Sequence, residues 1–163
     1  MDALYNDRKA AYHEAAHAVM ALYNGFPVRA AAIDAIGGGD TRLAWWHQFV
    51  MRFSGVSHMI LYIEFLFAGR AGEMLMRSID DAHNGFMHDM QRAKYLRMLH
   101  CISQEEFVRI YCRVNSLISD RRELIVCVAE ELLVKQKLSG REIKLMMRDF
   151  HKQYPHFEKL THD

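Results

Sequence analysis

The sequence predicts a mainly α-helical domain with one small β-hairpin, and three observations predict it. Only two prolines interrupt 163 residues. Apolar residues recur in long stripes with the 3.6-residue period of a helix. The stretch from Val28 to Trp46 lacks that period and is divided by Gly37-Gly38-Gly39-Asp40, the punctuation of a hairpin. By length, residues 1–163 form a single domain. A chain of that size can bury roughly 70% of the surface its unfolded form exposes.

The first helix is expected to begin just after Asn6 or Asp7, either of which can cap it. It should run to about Tyr23, where Asn24-Gly25 and Pro27 stop it. Val28 to Ile36 and Leu43 to Trp46 are the expected hairpin strands. A second long helix is expected over Val56 to Met76, capped by Ser54 or Ser57. Its apolar centre, Met59 to Gly69, contains Glu64 and is too short to span a bilayer, so it fits a buried helix. Gly69 and Gly72 inside this helix each cost about 1 kcal/mol against alanine. Close approach of a neighbouring helix on that face would offset the cost.

Asp80 to Met87 reads as a loop turning at Asn84-Gly85, followed by a helix from about Asp89 to Leu99. Three more helices complete the chain. Ser103 with Glu106 has capping-box spacing, Asp120 with Glu123 opens the next helix, and Ser139 with Glu142 opens the last. Leu124, Val128 and Leu132, then Ile143, Met146, Met147 and Phe150, form apolar stripes expected to lie in the core.

Composition excludes several function classes. Hydrophobic residues make up 51% and charged residues 25%, outside the disordered and membrane-protein ranges. A net charge of +1 is too small for nucleic acid or an anionic membrane to be the main partner. The three cysteines, Cys101, Cys112 and Cys127, include no C-x-x-C and read as buried free thiols of a reducing compartment. Residues 1–25 carry charges throughout, with no apolar signal-peptide core. A soluble, cytoplasmic chain without a membrane segment is the expectation.

The chemistry-bearing motif is His13-Glu14-Ala15-Ala16-His17. Histidines four apart on a helix project from one face, so both imidazoles can reach a single ion at about 2.0–2.1 Å. The intervening glutamate points slightly aside and can take a proton from a water that the ion activates. This is the H-E-x-x-H arrangement of the zincins, and it makes residues 1–101 the metal-site half and residues 102–163 a set of supporting helices. Chance alone gives roughly 0.04 such motifs in a chain of this composition. A catalytic zinc usually takes a third protein ligand. The metzincin pattern is excluded, because Met20 and Tyr23 stand where its glycine and histidine would fall. By residue chemistry Glu64, Glu73, Asp80, Asp81, His83, His88 and Asp89 all stay open as the third ligand.

Four segments resemble the protease domain of the FtsH-type ATP-dependent zinc metalloproteases. His13-Glu14-Ala15-Ala16-His17-Ala18 is similar to that family's H-E-A-G-H-A segment, and Ala68-Gly69-Arg70-Ala71-Gly72-Glu73 to its G-G-R-A-A-E helix. His88-Asp89-Met90-Gln91-Arg92-Ala93 resembles its N-D-L-x-x-A-T segment, and Leu138-Ser139-Gly140-Arg141-Glu142-Ile143 its closing T-L-x-G-x-E-I. The matches fall in order over nearly the whole chain. The resemblance implies Zn2+ held by His13, His17 and Asp89, with Glu14 as general base. Taken without the resemblance, Asp89 reads as a helix N-cap. Arg70 and Glu73, three apart, read as an ion pair on one helix.

The resemblance also implies metal-assisted hydrolysis of peptide bonds in extended or unfolded polypeptides. A peptide would add as a strand to Val28–Ile33, with Trp45 and Trp46 lining the groove or simply packing. His88 stands where the family has asparagine; it could compete for the metal, orient Asp89, or be a solvated loop histidine. The family works as hexameric rings driven by an ATPase module. This chain has no G-x-x-x-x-G-K-[ST], so a homo-oligomer and a separate ATPase are possible partners. Two other expectations stand beside the endopeptidase: a non-catalytic binding or adaptor module, and a zinc hydrolase of some other amide.

Overall fold

The computed structural model describes residues 3–34, 37–44, 55–76 and 84–155. In chain order they form α1 (Ala3–Tyr23), β1 (Val28–Ile33), β2 (Gly39–Leu43), α2 (Val56–Met74), α3 (Asn84–Leu99), α4 (Gln104–Asp120), α5 (Arg122–Lys135), β3 (Lys137–Ser139) and α6 (Gly140–Gln153). The chain is mainly helical with a small antiparallel sheet, the class the sequence predicts.

Helix α1 is the axis of the molecule. Every residue from Lys9 to Ala21 is buried, and α2, α5, β1 and β2 all pack against it. Ala10, Ala11, Ala15, Ala16, Ala18 and Ala21 make this possible, since methyl side chains let neighbours close in on several sides. The helix begins at Ala3 and not after Asn6 or Asp7, because Ala3 and Leu4 are good helix formers that carry it a further turn upstream. It ends as expected. Gly25 has φ +76°, and the Phe26 and Gly25 amides donate to Ala21 and Leu22 carbonyls at 2.7 and 3.1 Å, a Schellman closure.

The sheet has the order β2-β1-β3, so the expected hairpin gains a third strand. β3 escapes the sequence because three residues leading into a capping box show no alternation. Its Leu138 is fully buried, and the Ile33 amide extends the pairing to the Gln136 carbonyl at 2.9 Å. Val28 and Ile33 therefore belong to a middle strand, hydrogen-bonded on both sides. β1 cannot accept a peptide as a further strand, which corrects the expected docking edge. Gly39 and Asp40 belong to β2 and not to the turn, which is closed by the Asp34 amide donating to the Gly38 carbonyl at 2.9 Å. Trp45 and Trp46 lie outside the described residues.

Helix α2 starts after Gly55 with no side-chain cap; Ser57 is inside the helix, and Ser54 lies outside the described residues. It ends at Met74, with Leu75 and Met76 closing as a turn. Glu64 is buried within it, accepting from Asn24 Nδ2 at 3.1 Å and pairing with Arg113 of α4. Helix α3 begins at Asn84, five residues before the expected start. An Asn-Gly pair suits the mouth of a helix as well as a turn, and here it opens one. Asp89 thus sits inside a helix and is not its N-cap.

Helices α4, α5 and α6 lie where expected, with Leu124, Val128, Leu132, Ile143 and Phe150 buried and Met146 and Met147 packed against the core. Ser139 and Glu142 form a complete capping box, while Ser103 accepts from the Glu106 amide at 3.1 Å. Asp120 closes α4 and does not open α5. The junction is held by Arg121, which is buried, lies 4.2 Å from the Tyr23 ring centroid and donates to the Leu117 carbonyl. Cys101, Cys112 and Cys127 are free but exposed, contrary to expectation: Cys101 lies in the turn between α3 and α4 with φ +53°, and Cys112 and Cys127 fall off the buried stripes of α4 and α5. Among the described residues no helix is long and apolar enough to cross a membrane.

The two glycines of α2 do what their cost demands. A Cβ at Gly72 would stand 2.5 Å from the Ala16 methyl and the Tyr12 carbonyl oxygen. Gly72→Ala should therefore destabilise the fold by about 1–3 kcal/mol in a denaturant titration through overpacking, despite alanine's better helix propensity. Unchanged or increased stability would contradict this contact.

Candidate metal centre

The close approach of α1 and α2 puts His13 and His17 beneath Gly69, where a Cβ would lie 2.5 Å from Nε2 of each ring. Asp89 reaches the same point from α3. The two Nε2 atoms are 2.9 Å apart, and Asp89 Oδ2 lies 3.1 Å from that of His17 and 3.3 Å from that of His13. Three ligand atoms around a tetrahedral ion at 2.0–2.1 Å are separated by about 3.3–3.4 Å. The donors are therefore already close to the spacing that one small cation requires.

The outer hydrogen bonds fix which nitrogens can serve. His17 Nδ1 lies 2.7 Å from the Phe65 carbonyl, which can only accept, so this nitrogen carries the proton. His13 Nδ1 lies 2.7 Å from Glu73 Oε1. Burial disfavours the Glu73 carboxylate, but the His13 and Arg70 hydrogen bonds and the Lys9 charge outweigh it and hold its pKa below the ordinary value. Glu73 therefore accepts, and the expected ion pair with Arg70 is present at 2.9 Å. Lys9 Nζ stands 3.9 Å from the same carboxylate. With both imidazoles neutral, the two Nε2 lone pairs and the carboxylate oxygen would be three converging acceptors, so the arrangement calls for a cation between them, a proton or a metal ion.

The ionisation of the site follows. Burial alone would lower the His13 pKa; hydrogen bonds to Asp89 and Glu73 and the Glu14 charge prevail and raise it to about 10. Burial works against the Asp89 carboxylate too, and the His13 and His17 hydrogen bonds hold it well below the usual range. A proton and a metal ion compete for one place.

Glu14 is buried and faces β2. The Thr41 hydroxyl donates to Glu14 Oε2 at 2.6 Å and lies 3.2 Å from the Glu14 carbonyl. Helix α3 is anchored one turn beyond Asp89. The Arg92 guanidinium lies 5.2 Å from the Tyr62 ring centroid, Tyr62 stacks on Phe65 at 5.5 Å, and Phe65 meets the His17 ring at 4.7 Å.

Among the described residues His13, His17 and Asp89 are the group that could hold a metal. Of the other third-ligand candidates, Glu64 is engaged by Asn24 and Arg113, and Glu73 holds the far nitrogen of His13. His88 is exposed on helix α3, not in a loop. Asp80, Asp81 and His83 lie outside the described residues. Sequence reading missed the Glu73–His13 bond, Lys9, the Phe65 carbonyl and Thr41. Lys9 alone left a signal, one turn before His13 on the same face. No family model matches the chain, and no curated protein matches it either.

Three outcomes test this centre. Purified protein should bind one Zn2+ per chain, and Asp89→Ala should lose most of it; equal loading of the two would exclude Asp89 as a ligand. Glu73→Gln should weaken metal affinity about 10–100-fold. Because binding expels the proton held by His13, affinity should fall as pH is lowered and protons should be released on binding. Calorimetry in buffers of different ionisation enthalpy reads that release, and none would contradict the assigned protonation.

Proposed function

We propose that the chain is a zinc-dependent endopeptidase of the FtsH protease-domain type, acting on extended or unfolded polypeptides. The observation that carries this reading is the convergence of His13, His17 and Asp89 at one point with the Glu14 carboxylate beside them. Two imidazoles and a carboxylate are a donor set suited to Zn2+. Zinc bound there would supply Lewis acidity, polarising a scissile carbonyl and activating a water for attack.

The chain's own groups supply the rest. Glu14, which among the described residues takes its side-chain hydrogen bond from Thr41 through Oε2, would take the proton of the attacking water and return it to the leaving amine. Glu73 and the Phe65 carbonyl hold the two imidazoles in the tautomer that turns Nε2 inward. Substrate binding by strand addition moves from β1 to β2, because among the described residues no strand pairs with the outer edge of β2. That edge runs beside Glu14, and backbone pairing along it would bind a peptide with little regard for its sequence.

The test is cleavage of a permanently unfolded protein, such as reduced and alkylated casein, by zinc-loaded chain. Chelator should abolish cleavage and zinc should restore it. Glu14→Gln should keep its zinc and lose activity by about 100-fold or more. Equal rates for Glu14→Gln and wild type would overturn the catalytic assignment. Zinc-loaded wild type that binds unfolded chains without cleaving them would favour the binding module.

A further inference from the structure

Strand β2 has one face given over to Glu14. In a strand, residues two apart point the same way, and Gly39 and Thr41 are such a pair. A Cβ at Gly39 would stand 2.5 Å from Glu14 Cγ and 2.7 Å from Oε1, so a side chain there would displace the carboxylate. Thr41 lies on the same side with its hydroxyl 2.6 Å from Oε2. The alternate residues Asp40 and Arg42 point away, are exposed and pair with each other. The strand is itself held in register, with Ala31 opposite Thr41 and Ile33 opposite Gly39 on the central strand.

We propose that Thr41 is a positioning residue for Glu14: its hydroxyl fixes the carboxylate through Oε2, Gly39 leaves the space the carboxylate occupies, and Oε1 is thereby held ready for the proton of the attacking water. The proposal rests on the peptidase reading and assigns Thr41 a role in it. A glutamate on a helix surface has three rotatable bonds, and a buried one without a donor has no reason to keep one rotamer. Thr41 supplies that donor from an element that α1 does not control. Because β2 is an outer strand with no partner on its far side among the described residues, a peptide adding to it would press on the strand that sets the general base. Substrate binding and base placement are therefore mechanically joined through two residues of one strand.

The experiment compares Thr41→Val, which keeps shape and strand propensity but lacks the donor, with Thr41→Ser, which keeps the donor. Both should retain zinc and stay folded; Thr41→Val leaves the buried Glu14 Oε2 without its donor and should melt somewhat below the wild type, and Thr41→Ser close to it. Thr41→Val should lower kcat about 10–100-fold with KM little changed, since misplacement of a reacting group by an ångström costs that order, and Thr41→Ser should restore most of it. A second readout needs no turnover: the 13C resonance of the Glu14 carboxyl should move in Thr41→Val and return close to its wild-type position in Thr41→Ser. Wild-type kcat in Thr41→Val while Glu14→Gln is inactive would overturn the proposal, as would a loss that serine does not restore. An unmoved Glu14 resonance in Thr41→Val would overturn it too, even if the wild type cleaves nothing. Absence of cleavage by wild type, with the resonance shift present, would instead count against the peptidase reading alone.

Discussion

The structure depends on how near α2 can come to α1. Two imidazoles one turn apart can share an ion only if no side chain intervenes between their helix and the next. Gly69 removes the side chain that would strike both rings, and Gly72 lets α2 settle onto Ala16 and the Tyr12 carbonyl. At that separation the Glu73 carboxylate and the Phe65 carbonyl of α2 reach the outer nitrogens of His13 and His17. One contact thus positions the helix pair, sets both tautomers and shields the site from water. The helix-propensity cost of two glycines is the counterpart of that geometry.

Charge is balanced in shells around this contact. Asp89, Glu73 and Glu14 surround the two imidazoles, while Lys9 and Arg70 lie on the outer side of Glu73. Buried carboxylates are costly unless each finds a donor or a cation. Glu73 is satisfied by three positive or potentially positive groups and Glu14 by Thr41. Asp89 and the inward Nε2 atoms are completed by whatever cation sits among them, a proton on His13 in the metal-free chain. The same shell logic appears at another buried carboxylate, Glu64, which Asn24 and Arg113 answer.

Much of this was legible in the residues. Helix periodicity, the Asn24-Gly25 stop, the capping box at Ser139 and the apolar stripes of α5 and α6 are local signals, each complete within a few turns of chain. The paired glycines signalled a close helix contact because their cost had no local explanation. The errors were also local: Asn84-Gly85 serves turn and helix start alike, Asp120 resembles a cap, and cysteines favour interiors only on average. β3 is too short to carry a pattern, and without it β1 looked like an edge.

By itself the sequence determined the H-E-x-x-H face, since the 3.6-residue period alone brings His13 and His17 together, and it determined the Arg70–Glu73 pair for the same reason. Residue chemistry and periodicity left open which acid joins the histidines, for which only the family resemblance implied Asp89; the tertiary structure decided that, and which nitrogens face inward, what holds Glu14 and which strand lies in the middle of the sheet. Those relations link residues at least 27 positions apart. No local period reports on such distances; only the packing of α1, α2, α3 and the sheet brings them together.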